Sequence, residues 1–403
     1  MILVQFPPMG VYETLFRFAD ATGMYLGDAG THPWAQGYPL TRQIPGGPPL
    51  PASIAIGAND LRYPTATGQP ELRRAIADYY RTAYGARIDE ENVAIFAGGR
   101  AAILAVVSLL APGVSVAIEE TEYTPYWDLL RLLGRDPVIV PSRPENRFRP
   151  GNADRAVKPR AGDDRVFLIR SNPCNPTGVT VAGESLRELV ALSSLSGRGA
   201  LFDEAYEFFR SPEPDSALRY IDEIDRTDIF VIGAATKGLQ VPGLRVGWAI
   251  ASRAHIELFR NWSSIAMGGV SRASQLYVTE LLEPARVRRA RAAIGAFYGS
   301  QREKYGVALE RLGFELATGD GGFYHWAKLP AGLTADELND RLFRDGAAIL
   351  PGRLCDMGRR PPGEGPCDRW VRFSFGAIAP ESYESDVEIL TRAVGEKGRM
   401  ARR

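Results

Sequence analysis

A chain of 403 residues, 45% hydrophobic and 24% charged, is too long for one ordinary core and predicts two domains. Lysine plus arginine and aspartate plus glutamate both number 48, a net charge of zero, which argues against a nucleic-acid partner held by phosphate charge. Three cysteines are too few for a disulfide framework, and three scattered histidines (His32, His255, His325) argue against a metal centre.

Residues 1–50 are rich in Pro and Gly, with one short helix expected near 12–19; they read as an arm that packs on something else. The pattern LRRAIADYYRTAY places apolar residues at helical spacing over 71–84. NVAIFAG is a strand that meets Gly98-Gly99, and a helix follows over 100–110. Strands are expected at 114–120 and 138–142, with a helix at 126–133 between them, and 143–163 reads as a loop. Further strands are expected at 165–173, 199–206, 228–236 and 245–252, with a helix at 184–194. Strands alternating with helices over 90–250 imply crossovers and a mostly parallel sheet covered on both faces.

Helical patterns dominate 254–312, and the basic stretch 285–303 reads as the solvated face of a long helix. Beyond it, FELA, GGFYHWAKL and WVRFSFG are short strands interleaved with helices at 335–344 and 383–394, a smaller α+β unit. The division expected is 1–48 as an arm and part of the small domain, 49–290 as the large domain and 291–403 as the small one. No apolar run approaches the ~20 residues needed to cross a bilayer, and the N-terminus lacks a signal-peptide pattern. A cytoplasmic chain with no membrane partner is expected.

Open α/β sheets gather function at the carboxyl ends of their strands. Here those ends carry Asn172-Pro173-Cys174-Asn175-Pro176-Thr177-Gly178, then Asp203-Glu204-Ala205-Tyr206, then Thr236-Lys237, with Arg245 eight residues on. A carboxylate, an amide, a phenol, an amine and a guanidinium at one edge suit a charged aromatic ring with a phosphate tail.

The order and spacing of these motifs resemble the fold-type I pyridoxal-phosphate enzymes, in particular the class I/II aminotransferases of the aspartate aminotransferase type, over about residues 27–372. The resemblance implies a seven-stranded, mostly parallel large domain with a smaller α+β domain, pyridoxal 5′-phosphate as cofactor, and a homodimer with shared active sites. It implies that Lys237 carries the cofactor and shuttles protons. Asp203 would keep the pyridine nitrogen protonated, Asn175 and Tyr206 would bond the ring's 3-oxygen, and Tyr123 would stack on the ring in preference to Tyr126. The phosphate would lie on Gly98, Gly99, Arg100 and Ala101 at a helix N-terminus, with Thr236 and Arg245, and with Tyr63 of a neighbouring subunit; Ser271 is a further candidate across the interface. Arg372 matches the arginine that forks onto the substrate α-carboxylate, and Gly30 is expected beside it.

Three departures leave the reaction type open. Gly233-Ala234-Ala235-Thr236 precedes the lysine where a serine-x-serine is common, so Arg100 is expected to replace a lost hydroxyl. The arm carries His32 in Gly27-Asp28-Ala29-Gly30-Thr31-His32-Pro33-Trp34, either capping the turn or facing the substrate, as the histidine of the family's oxidase and cyclase branches would. No second carboxylate-binding arginine can be assigned among Arg17, Arg42, Arg260 and Arg272; Tyr12, Trp34 and Tyr38 could instead line an apolar pocket. Cys174, His255 and His325 read as structural. The expected function is transfer of the amino group of an L-amino acid to a 2-oxo acid, with a lyase, cyclase or oxidase as the alternative. A cofactor domain retained as a regulator is disfavoured, since the first 50 residues are too short for a winged helix.

Overall fold

Seven strands form the central sheet of the computed structural model, which describes residues 2, 3, 5, 10–210 and 213–395. In chain order they are β1 (Val93–Phe96), β2 (Val114–Glu119), β3 (Val138–Val140), β4 (Arg165–Ser171), β5 (Arg198–Asp203), β6 (Ile229–Ala234) and β7 (Gly247–Ile250). The apolar runs in these strands feed two cores. Val93, Ile95, Ala117 and Leu168 face one layer, while Ala94, Phe96, Val116, Ile118, Phe167 and Ile169 face the other. Alternate side chains of a strand point to opposite faces, so a sheet covered on both sides needs apolar residues at nearly every position.

The spatial order is β1-β7-β6-β5-β4-β2-β3. The pairings among β2 to β6 are parallel, whereas β7 is antiparallel to both β1 and β6. Register matters for function. Ser171 pairs with Asp203, and Asp203 with Ile232. The loops leaving β4, β5 and β6 therefore emerge side by side at one edge.

The helices are α1 (Gly10–Thr22), α2 (Pro70–Tyr84), α3 (Gly99–Leu109), α4 (Pro125–Leu132), α5 (Asn152–Arg155), α6 (Glu184–Ser193), α7 (Arg253–Ala266), α8 (Arg272–Leu281), α9 (Pro284–Arg311), α10 (Ala335–Leu342) and α11 (Tyr383–Gly395). Two short helical turns, a 3-10 turn at Pro144–Asn146 and α5, interrupt the segment expected to be loop. The strand expected over 245–252 is shorter, and Arg245 precedes it with φ +53°. Among the described residues no helix is long and apolar enough to cross a membrane.

A second, antiparallel sheet has the order β10-β11-β9-β8, from β8 (Glu315–Leu316), β9 (Tyr324–Lys328), β10 (Leu350–Pro351) and β11 (Trp370–Ser374). Helix α1 packs here: Phe18 meets Phe343 edge-on at 5.5 Å and shares a core with Trp326 and Trp370. Helix α9, 28 residues and ~42 Å long, runs unbroken through residue 290, so a division there falls inside a helix. Its basic stretch is not simply solvated. Arg289 Nε donates to Gly46 O at 3.1 Å, Arg291 Nη2 to Tyr84 Oη at 3.1 Å, and Arg286 to Pro49 O, which ties the arm and α2 to the helix.

Candidate functional site

A cavity of about 380 Å³ opens at the carboxyl edge of the large sheet, and the groups that face it are polar at one end and apolar at the other. Lys237 follows β6 by three residues and projects into it. The amine donates to the carbonyl of Gly37 and lies 5.7 and 5.8 Å from the ring centroids of Tyr206 and Phe323. Burial pushes the Lys237 pKa down to about 7, and the positive charges of Arg372 and Arg100 push the same way, against the pull of Asp203.

Asp203 ends β5. Its Oδ2 accepts from Tyr126 Oη at 2.8 Å and its Oδ1 from the Ala205 N–H at 3.1 Å. Burial raises its pKa while those two donors work in the opposite direction. A buried carboxyl held by two donors, yet with acceptor capacity to spare, suits a partner that brings a proton. Tyr123 lines the cavity, and its hydroxyl accepts from Arg100 Nε at 2.7 Å. Tyr126 stands edge-on to Tyr123 at 5.3 Å and anchors Asp203 rather than lining the cleft. Tyr206 bonds the hydroxyl of Tyr324.

On the other side lies Arg372, in β11. Nη1 donates to Asn175 Oδ1 at 2.8 Å, Nη2 donates to Ala35 O at 2.6 Å, and the guanidinium sits 4.4 Å above the Tyr324 ring. Its Nε is buried without a partner, and the guanidinium borders a cleft that could take an acid. Asn175 is fixed from behind, since its N–H donates to Ser171 Oγ at 3.0 Å and Ser171 in turn bonds Glu122. Burial, with help from the Glu119 charge, lifts the Glu122 pKa to about 8.

The polar end is built from β1, α3 and the turn before β7. Gly98 has φ +89°, a conformation side chains rarely adopt, and a Cβ there would fall 2.3 Å from Arg245 Nη2. The first N–H groups of α3 have no partner within their own helix, and the exposed guanidinium of Arg245, the Arg100 side chain and Thr236 border the same space. Positive charge, helix-end donors and a glycine cradle make an anion site. Gly247 keeps β7 close enough to form it: a Cβ there would lie 2.5 Å from Gly98 C and Gly99 N. Gly247→Ala is expected to cost about 1–3 kcal/mol through backbone displacement, read from the denaturant midpoint, and to weaken phosphate binding.

The structure thus brings together Gly99, Arg100, Tyr123, Asn175, Asp203, Tyr206, Thr236, Lys237, Arg245 and Arg372. Others lie elsewhere. The Ala101 N–H is spent on Gly98 O at 3.1 Å, and the residue does not line the cavity. Gly30 sits at an exposed turn beside Gly346; the arm's glycine in the cleft is Gly37. His32 turns to Asp386 Oδ1 at 2.5 Å and does not face the cavity. Tyr63 is 96% exposed, and Ser271 caps α8, accepting from the Ser274 N–H.

The four candidates for a second carboxylate-binding arginine are engaged on the outside: Arg17 with Asp336 and Asp340, Arg42 with Glu381, Arg260 with Glu257, Arg272 with Asp60. Nor do Tyr12, Trp34 or Tyr38 form the apolar wall; Val11, Ile103, Leu350 and Cys355 do. Glu122, Ser171 and Tyr324 were not anticipated as parts of the site, and Tyr126, weighed only as the less favoured stacking residue, braces Asp203 instead. A signal existed for Tyr324 alone, in the alternation of FYHWAK. His325 is structural, bonded to Thr318 and Arg302 O, with its pKa pushed by burial to about 3.

The family described as aminotransferase class I and II matches residues 22–389. The chain is 26% identical to an aspartate aminotransferase of Pyrococcus horikoshii over 86% of each chain. It is 28% identical to an arginine–pyruvate transaminase of Pseudomonas aeruginosa over 73% of this chain and 75% of the relative. In structure it resembles the aspartate aminotransferase of Thermus thermophilus with maleate, with a TM-score of 0.81 at 21% identity, covering 98% of this chain and all of the other. An aminotransferase from Mycobacterium tuberculosis superposes with a TM-score of 0.80 at 24% identity, over 98% and 99% of the two chains.

Proposed function

The chain belongs to the class I and II aminotransferase family, and from that premise we propose that it is a pyridoxal-phosphate enzyme transferring the amino group of an L-amino acid to a 2-oxo acid. The observation that carries the reading is the convergence of Lys237, Asp203 and Arg372 on one cavity that ends in an arginine-lined anion cradle. The residues fit the cofactor: Gly98, Gly99, Arg100, Thr236 and Arg245 would hold its phosphate, Asp203 its ring nitrogen, Asn175 and Tyr206 its ring oxygen, and Tyr123 its face. When bound, pyridoxal phosphate supplies an electron sink for charge left at the substrate Cα.

The chain's own groups supply the rest. Lys237, with its pKa near neutrality, provides an amine able to act as nucleophile and base at Cα. Arg372 binds and orients the α-carboxylate, its charge undiminished by the neutral acceptors Asn175 and Ala35. Val11, Leu350 and Cys355 line the same cavity with apolar surface that would help to exclude water.

The reading includes a homodimer. Tyr63, Leu61 and Ile56 are exposed at 96%, 80% and 51%, and would face a second copy, where Tyr63 could reach its anion cradle. It includes a cytoplasmic setting, supported by three buried cysteines that are all unpaired. The large domain would span 49–290 and the small domain 291–403 with the arm.

The test is oxo-acid release by the cofactor-loaded protein from single amino acids, under nitrogen and without an acceptor. One equivalent per site, with turnover resuming only when a second 2-oxo acid is added, is the expected result. Continuous release with ammonia and without an acceptor would indicate elimination, consumption of the amino acid with no oxo acid released would indicate cyclisation, and oxygen consumption in air would indicate an oxidase.

A further inference from the structure

The arm touches two of the site's cations, Arg372 and Lys237, through its backbone. The Ala35 carbonyl accepts from Arg372 Nη2 at 2.6 Å, and the Gly37 carbonyl accepts from the Lys237 amine. A guanidinium has five N–H donors; Asn175 and Ala35 engage two of them and Nε is buried, so one N–H on each of Nη1 and Nη2 is left for an incoming acid. Both acceptors are uncharged, so they aim the fork without cancelling its charge. The position of residues 32–37 therefore decides where Arg372 points.

That segment is fixed at its start. The His32 N–H donates to Gly346 O at 2.8 Å, and the Ser374 N–H to Trp34 O at 2.8 Å. One side chain adds an anchor: His32 Nδ1 lies 2.5 Å from Asp386 Oδ1, and the other oxygen of Asp386 accepts from Tyr305 Oη at 2.5 Å. Asp386 on α11 is fully buried, and Tyr305 comes from α9. The His32 ring also meets Trp34 at 5.5 Å, and Trp34 meets Phe373, the neighbour of Arg372 in β11, at 5.2 Å. A buried carboxylate deprived of one of two partners is costly, so the arm and the small sheet are coupled through this contact.

We propose that His32 is a positioning residue: latched to Asp386, which Tyr305 holds from its other oxygen, it fixes residues 32–37 so that the Ala35 carbonyl orients Arg372 for the substrate carboxylate. The inference rests on the reading of Arg372 as the carboxylate-binding group, and its first test does not depend on activity. In the apoprotein, His32→Ala should speed amide exchange over 32–37 at least ~10-fold while leaving β9 and residues 370–373 of β11 unchanged; the Ser374 N–H, which donates to Trp34 O, should follow the arm. His32→Gln, whose amide can still donate to Asp386, should restore most of the protection. In the cofactor-loaded protein, His32→Ala should raise KM for the amino donor about 10-fold with kcat within about 2-fold, and His32→Gln should fall between.

Unchanged exchange and unchanged KM in His32→Ala would overturn the proposal. A fall in kcat at constant KM would overturn it as well, and would assign His32 a part in the chemistry. Should His32→Ala fail to fold, His32→Gln and Asp386→Asn provide the same comparison: faster arm exchange with raised KM in Asp386→Asn supports the latch, and wild-type values in both sink it. If the wild-type protein releases no oxo acid from any donor, the functional reading fails, while the exchange measurement still decides the latch.

Discussion

Lys237→Ala is expected to lower turnover by on the order of 10⁴-fold, measured as kcat with the best amino donor, because it removes the one amine among the described residues that faces the cavity. Lys237→Arg should not rescue it: a guanidinium keeps the charge but stays protonated and cannot serve as base or nucleophile. The depressed pKa makes a second, separable prediction for the apoprotein. Between about pH 7, the folded value, and the ordinary lysine value of about 10.4, the unfolded chain holds a proton that the folded chain has lost. Stability must then rise with pH across that window and be flat below it. Compared with Lys237→Met, the wild-type apoprotein should gain at most ~1.4 kcal/mol per pH unit between pH 7 and 10, read from denaturant midpoints. A difference that does not change with pH would mean that the amine stays charged in the cleft, and would remove the argument that its surroundings prepare it as a base.

Three parts of the site that could be read from sequence share one physical property: each lies at the end of a buried strand or a few residues beyond it. Asp203 ends β5, and Asn175 and Lys237 follow β4 and β6; the near-continuous apolar runs of these strands announce a covered sheet, and parallel register brings their ends together. The arm offers no such regularity. Its glycines lie in segments without periodicity, held by bonds to residues more than 300 positions away, so Gly30 and Gly37 could not be told apart before the fold was known. The sense of β7 was legible only by a different argument. A buried strand has the same composition in either direction, but the connection from β6 to β7 holds no α-helix, and parallel strands need a crossover of a dozen or more residues, usually helical. Tyr126 shows another kind of gap: a phenol four positions into a tyrosine-rich motif can stack on a ligand or brace a carboxylate, and only its 2.8 Å bond to Asp203 decides between them.

Arg372→Lys is expected to reduce kcat/KM by roughly 10²–10³-fold, the equivalent of about 3–4 kcal/mol, with most of the change in KM. A lysine conserves the charge but not the geometry. The guanidinium satisfies Asn175 and Ala35 together, lies 4.4 Å from the centre of the Tyr324 ring, and still presents donors in one plane; a single ammonium cannot bond both acceptors and offer a fork to an acid. Arg372→Ala should be worse, since it also leaves the Asn175 amide oxygen and the Ala35 carbonyl without donors inside the protein. The ratio between the two variants separates charge from orientation. If lysine restored activity to within about 10-fold of wild type, positive charge alone would account for substrate binding, and the planar arrangement built from Asn175, Tyr324 and the arm would be packing. If lysine behaved nearly as alanine does, orientation would dominate, and the residues that aim the guanidinium would share control of substrate affinity with the guanidinium itself.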